Sequence, residues 1–106
     1  MTEVYEGSTN IFAEIGVPEP ETHLLKAKFV AEILRMVRKR QLTQSAAGEL
    51  MGISQPEVSR LFRGHFREYS VERLMGFLTA FDRDVEIVLK TSDAGKGQIT
   101  FRPEAA

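Results

Sequence analysis

The sequence predicts a mainly α-helical bundle with a short N-terminal arm and a C-terminal β-hairpin, and three observations carry that prediction. Residues 42–64 hold two short segments, each opened by a capping residue, with Gly52 between them. Residues 22–40 and 70–81 step their apolar side chains by three and four, the spacing of one helical face. Beyond Asp82 the period changes to two, as in a strand.

The elements follow in order. Thr9 and Asn10 are placed to cap a short helix through Ile15, which Gly16 and Pro18 stop. Pro18-Glu19-Pro20 reads as a stiff linker. A long helix is expected from about Thr22 to Arg40, with Leu25, Phe29, Ile33 and Val37 on one face and Val30 and Leu34 widening the stripe. Arg38, Lys39 and Arg40 end it, where the helix dipole favours cations.

Thr43 then caps a helix beginning at Gln44, its hydroxyl satisfying an orphan amide of the first turn. Ala46, Ala47, Leu50 and Met51 are its expected buried side, and the small Ala47 and Gly48 suit a close helix crossing. Gly52 follows the last apolar residue, where a left-handed backbone is needed. Ser54 caps the next helix, Glu57 completes a capping box, and Ile53 and Val58 stand at the spacing of a hydrophobic staple. Pro56 falls in the first turn, where its missing N–H costs nothing. Two short capped helices across a glycine turn are the layout of a helix-turn-helix, whose second helix enters the DNA major groove.

Ser70 caps a further helix built on Val71, Leu74, Leu78 and Phe81. Val85, Ile87 and Leu89 then alternate with Glu86, Val88 and Lys90, and after a turn over 93–97 Ile99 and Phe101 alternate with Gln98, Thr100 and Arg102. A lone two-stranded hairpin is marginal in water, so it must pack on its own helices or pair with the hairpin of a second chain. Three units result: an acidic arm with a short helix at 1–20, a helix-turn-helix domain at 21–82, and a C-terminal β-hairpin at 83–106; the region from Val85 to Phe101 or the helix over 70–81 is expected to carry a dimer contact.

The net charge of −1 conceals a strong polarity. Residues 1–25 hold five acids and no Lys or Arg, whereas residues 26–73 hold ten bases and five acids. The basic excess coincides with the helix-turn-helix, as phosphate neutralisation requires.

If Val58, Leu61 and Phe62 form the buried side of the second helix, Pro56, Arg60 and Arg63 lie opposite, flanked by Gln55 and Ser59. Gln55, Pro56, Ser59 and Arg60 are therefore the expected base contacts. Arg60 is the strongest of them, since a guanidinium makes two hydrogen bonds to guanine O6 and N7. Arg63, Arg67, Lys39 and Arg40 are expected at phosphates, which position a protein without reading sequence. Glu57 is read as a capping residue.

Catalysis is not expected. His23 and His65 are far apart in a chain without cysteine, no serine stands in a Gly-x-Ser-x-Gly context, and Gly95-Lys96-Gly97 lacks the spacing of a phosphate loop. No metal, cofactor or disulfide is implied. No run spans a bilayer and no signal peptide is evident, so a cytoplasmic protein with no membrane partner is expected.

The segment from Leu42 to Gly64 resembles the Cro/repressor-like, or XRE, helix-turn-helix group. The flanks, Gly7 to Pro18 and Tyr69 to Val88, resemble the small HigA-type antitoxins of that group. The resemblance implies that Gln55 pairs with adenine and that Gln44, at the preceding helix N-terminus, binds phosphate. Pro56 departs from the polar residue some relatives carry and is left with an apolar contact, such as a thymine methyl. The resemblance further implies a repressor that binds its own operator as a homodimer and also holds a basic toxin; a dimeric regulator with no toxin is the alternative. The acidic arm around Phe12, Ile15 and Val17 would suit such a toxin, or Ile11, Phe12 and Ile15 would cover the protein's own core while the glutamates face water.

Overall fold

The computed structural model describes residues 19–104, so the acidic arm and its expected helix over 9–15 lie outside the described residues. Four helices follow in order: α1 (Glu19–Lys39), α2 (Gln44–Met51), α3 (Gln55–Phe62) and α4 (Val71–Ala80). α1 lies chiefly against α4, α2 against α3, and both α3 with α1 and α2 with α4 close the bundle.

α1 starts earlier than its apolar stripe suggested. Glu19 and Pro20, expected in a stiff linker, form its first turn, where proline's missing donor has no intrahelical acceptor to lose. Glu19 and Glu21 sit at its positive end and Arg38 and Lys39 at its negative end. Its inward face buries Leu25, Phe29, Val30, Ile33, Met36 and Val37. Glu32 is buried on the same helix and is held by Arg35, whose Nε donates to Oε2 at 3.2 Å, with Arg83 at 3.5 Å. The Arg35 hydrogen bond keeps this carboxyl below the usual carboxylate range although burial pushes the other way.

The caps form as their residues dictate. Thr43 Oγ1 accepts from the Ala46 amide at 3.0 Å. Ser54 Oγ accepts from the Glu57 amide at 3.3 Å while donating to Glu57 Oε1 at 3.1 Å. Ser70 Oγ accepts from the Arg73 amide at 3.1 Å. Gly52 takes φ +76°, and its amide and that of Ile53 both donate to the Gly48 carbonyl, at 2.7 and 3.0 Å. A Cβ on Gly48 would stand 2.5 Å from the Ile53 carbonyl oxygen, so the turn closes only over a bare Cα.

That tight closure corrects one expectation. Ala47, Gly48 and Met51 make the buried side of α2, and Leu50 is 45% exposed rather than buried. Glycine occupies the innermost position, so the helix turns its 47/48/51 stripe inward and carries Leu50 about 100° away from Met51.

α1 and α4 are fastened at one end by Arg40. Its Nη2 donates to the Phe81 carbonyl at 2.7 Å and approaches Asp82 at 3.4 Å, and its guanidinium lies 5.6 Å from the Phe81 ring centroid. Asp82 there adopts φ +63°, and Gln41, just after α1, φ +54°.

The expected C-terminal β-hairpin does not form: among the described residues there is no strand, and residues 83–104 run as irregular extended chain around a turn. Phe101 docks edge-on against Phe29 of α1 with centroids 5.0 Å apart, and Glu104 approaches Arg83 at 4.0 Å. The return segment is thus anchored at its far end to α1 and its neighbourhood rather than to the preceding residues, and two strands alone gain too little to form a ladder.

Candidate nucleic-acid interface

α3 presents two faces. Val58 and Leu61 are completely buried and Phe62 partly so, while Gln55, Pro56, Arg60 and Arg63 are exposed and Ser59 is half-buried between them. The angular expectation for the base-reading residues therefore matches how the helix sits on the core. Nothing bends the helix away: Pro56 lies in its first turn and the caps hold its start.

The two glutamines, given separate roles from the sequence, meet. Gln55 Nε2 donates to Gln44 Oε1 at 2.7 Å, joining the N-termini of α2 and α3 across the turn. A primary amide has two donors and its carbonyl two acceptor sites. Gln55 thus keeps one N–H and its own carbonyl for a base edge, the set adenine N7 and N6 require. Gln44 keeps its amide group as a donor.

Arg60 projects from the exposed face and makes no hydrogen bond or ion pair among the described residues. It lines an open depression of about 410 Å³ together with His65, Arg67, Tyr69, Arg73, Glu57 and Glu68. Arg63 turns back along its own helix, its Nε donating to the Ser59 carbonyl at 3.3 Å. Lys39 is exposed at the end of α1. Arg40, expected at phosphate, uses its Nη2 at the end of α4 as described above, while its side chain stays 39% exposed.

Sequence reasoning missed the group that fixes this face. Tyr69 Oη donates to Glu57 Oε2 at 3.3 Å, and the Arg73 guanidinium lies 5.0 Å from the Tyr69 ring and 5.5 Å from that of Phe77. Glu57 is therefore more than a cap: it ties α3 to the loop before α4. The Ser54 hydroxyl, with further help from the Ser54 amide, Tyr69 and Arg73, holds its carboxyl below the ordinary carboxylate range against the pull of desolvation. Burial first, then the Glu57 carboxylate, raises the Tyr69 phenol. The visible signal was Arg73 four residues after Tyr69 and four before Phe77, the spacing that lets one cation lie along two rings. Lys26 adds a second strut, its Nζ donating to the Arg67 carbonyl at 3.0 Å.

The arrangement offers hydrogen-bond donors, one glutamine carbonyl and several guanidinium groups on one surface. Among the described residues no cluster of His, Cys, Asp and Glu could hold a metal ion, and no helix is long and apolar enough to cross a membrane.

Comparison with known proteins agrees with this geometry. A family model described as a helix-turn-helix domain matches residues 11–90. A solved structure of a chain assigned as an XRE-family transcriptional regulator is 34% identical, with a TM-score of 0.73, over 84% of this chain and 100% of that one. Among curated proteins no match was found.

Proposed function

The chain belongs to the helix-turn-helix domain family, and on that premise we propose that it is a sequence-specific DNA-binding transcriptional repressor acting on its own operator as a dimer. It is not an enzyme. The observation that carries the reading is the Gln44–Gln55 bond, which joins two amide groups at the N-termini of α2 and α3, with an unpaired Arg60 on the exposed face of α3. Gln55, Pro56, Ser59 and Arg60 read bases in this proposal, and Gln44, Arg63, Arg67 and Lys39 take phosphates. Arg40 clasps the end of α4 through Nη2 and takes phosphate with the exposed remainder of its guanidinium.

One helix-turn-helix reads only a few base pairs, so a two-fold dimer on half-sites roughly 34 Å apart is needed for affinity. Anisotropy titration against the gene's own upstream region is the test. Arg60→Ala is expected to cost about 1–3 kcal/mol and relax preference at one base pair, while Arg63→Ala weakens all sequences alike. Equal affinity for operator and random DNA at physiological salt would refute the proposal.

The antitoxin role is the finer part, supported by the resemblance of residues 7–18 and 69–88 to HigA-type antitoxins and by the acidic start of the chain, which suits a basic toxin. Co-expression of the full chain with the neighbouring gene product checks it: the neighbour is expected to inhibit growth alone and to co-purify with this chain. If it does neither, the stand-alone dimeric regulator remains.

A further inference from the structure

Both α1 and α3 carry a glutamate three residues before an arginine, the spacing at which two side chains are neighbours on a helix surface. On α1 the pair closes: Arg35 Nε donates to Glu32 Oε2 at 3.2 Å, and its Nη2 donates to Oε1. On α3 the pair stays open. Glu57 makes no ion pair, and Arg60 makes neither an ion pair nor a hydrogen bond among the described residues. What else reaches the glutamate separates the two cases. Ser54 Oγ donates to Glu57 Oε1 at 3.1 Å and Tyr69 Oη donates to Oε2 at 3.3 Å, so a hydroxyl stands on each carboxylate oxygen. Glu32 receives a guanidinium in their place. The Tyr69 ring is itself held, edge-on to Phe77 with centroids 5.7 Å apart and 5.0 Å from the Arg73 guanidinium.

We propose that Tyr69 is a positioning residue for base reading: its hydroxyl turns the Glu57 carboxylate away from Arg60 and so keeps the Arg60 guanidinium free. This rests on the DNA-binding reading given above and deepens it. A guanidinium closed on a carboxylate of its own helix cannot offer two N–H groups to guanine O6 and N7. Glu57, Arg60 and Tyr69 line one depression, so a released carboxylate needs only a side-chain rotation to reach Arg60. Arg63 shows what an arginine here does when a local acceptor is open to it: its Nε folds back onto the Ser59 carbonyl at 3.3 Å.

Tyr69→Phe keeps a ring beside Phe77 and Arg73 and removes only the hydroxyl. In the full chain it is expected to lower the ratio of affinities for the gene's own upstream region and for random DNA about three- to tenfold. In an Arg60→Ala background the same substitution should change that ratio by less than about twofold, because Tyr69 acts through Arg60. Adding Glu57→Gln to Tyr69→Phe is expected to bring the ratio back to within about twofold of the parent, since an uncharged amide holds a guanidinium weakly. A parent ratio in Tyr69→Phe overturns the proposal. So does a loss that persists in both backgrounds, which is what loosened packing alone would give. The DNA-free protein supplies a second measurement by NMR. The Arg60 Nε–H should exchange with water about two- to threefold more slowly in Tyr69→Phe than in the parent, as an ion pair at this spacing protects it. Equal exchange with a parent that discriminates between the two DNAs overturns the role of Tyr69 alone. A parent that binds both DNAs equally overturns the repressor reading and the base-reading role together.

Discussion

Between Leu42 and Gly64 the polar groups that open each helix find partners three or four residues away; between Asp84 and Lys90 the backbone finds none among the described residues. Both regions carry regular patterns, yet one is locally self-sufficient and the other is not. A cap, a capping box and a left-handed glycine each specify geometry through neighbours in sequence. A period-two alternation specifies only which side chains share a face and leaves the partner strand to be supplied from elsewhere.

The same substitution in both regions makes the sharpest break. Leu61→Ala removes a fully buried side chain of α3 and is expected to lower stability by about 2–5 kcal/mol, whereas Leu89→Ala, at 93% exposure, should stay within about 0.5 kcal/mol under monomeric conditions. Urea unfolding of the two variants checks both; a comparable loss at Leu89 would mean that the extended segment is already packed. Next comes Gly48→Ala, which forces the turn apart against the Ile53 carbonyl and should cost about 1–3 kcal/mol in the same measurement. Ser54→Ala removes the cap of α3 and is expected to cost about 1 kcal/mol, with an intact fold by circular dichroism.

The smallest effect is in acid. Glu32 has a carboxyl held low in the folded chain, so its contribution is present above its ordinary value of 4.5 and is lost as the pH falls below it. Glu32→Gln should therefore flatten the decline of stability on the acid side relative to the parent. An unchanged slope would assign the decline to Glu57, whose carboxyl is lowered too.

The sequence made most of the helical body legible because its signals are local. Thr43, Ser54 and Ser70 cap where their side chains stand, and Leu25, Phe29, Ile33 and Val37 are buried together because a helix places every fourth residue on one face. The exposed row of α3 was readable for the same reason. Leu50 was misjudged because apolar spacing does not reveal that a glycine has taken the inward place. The contact of Arg40 with the Phe81 carbonyl was not legible because a cation at a helix end serves equally a phosphate or a carbonyl from a distant helix. The Glu57–Tyr69–Arg73 group and the docking of Phe101 on Phe29 join residues far apart in sequence, and no periodicity reports such meetings.

The Arg40 clasp also governs when the chain becomes whole. Contacts between α2 and α3 close loops of a few residues, but Arg40 and the Phe81 carbonyl stand 41 positions apart. Ordering cost rises with the length of chain that must be looped, so the local pair forms readily and the clasp closes late. During synthesis α1, α2 and α3 leave the ribosome before α4, and until residue 82 has emerged Phe29, Ile33 and Val37 have no α4 to cover them. A chain released before that point carries the complete recognition helix yet lacks the helix that holds it at its working angle. The last residues of the bundle thus decide whether the reading surface already synthesised acquires a fixed shape.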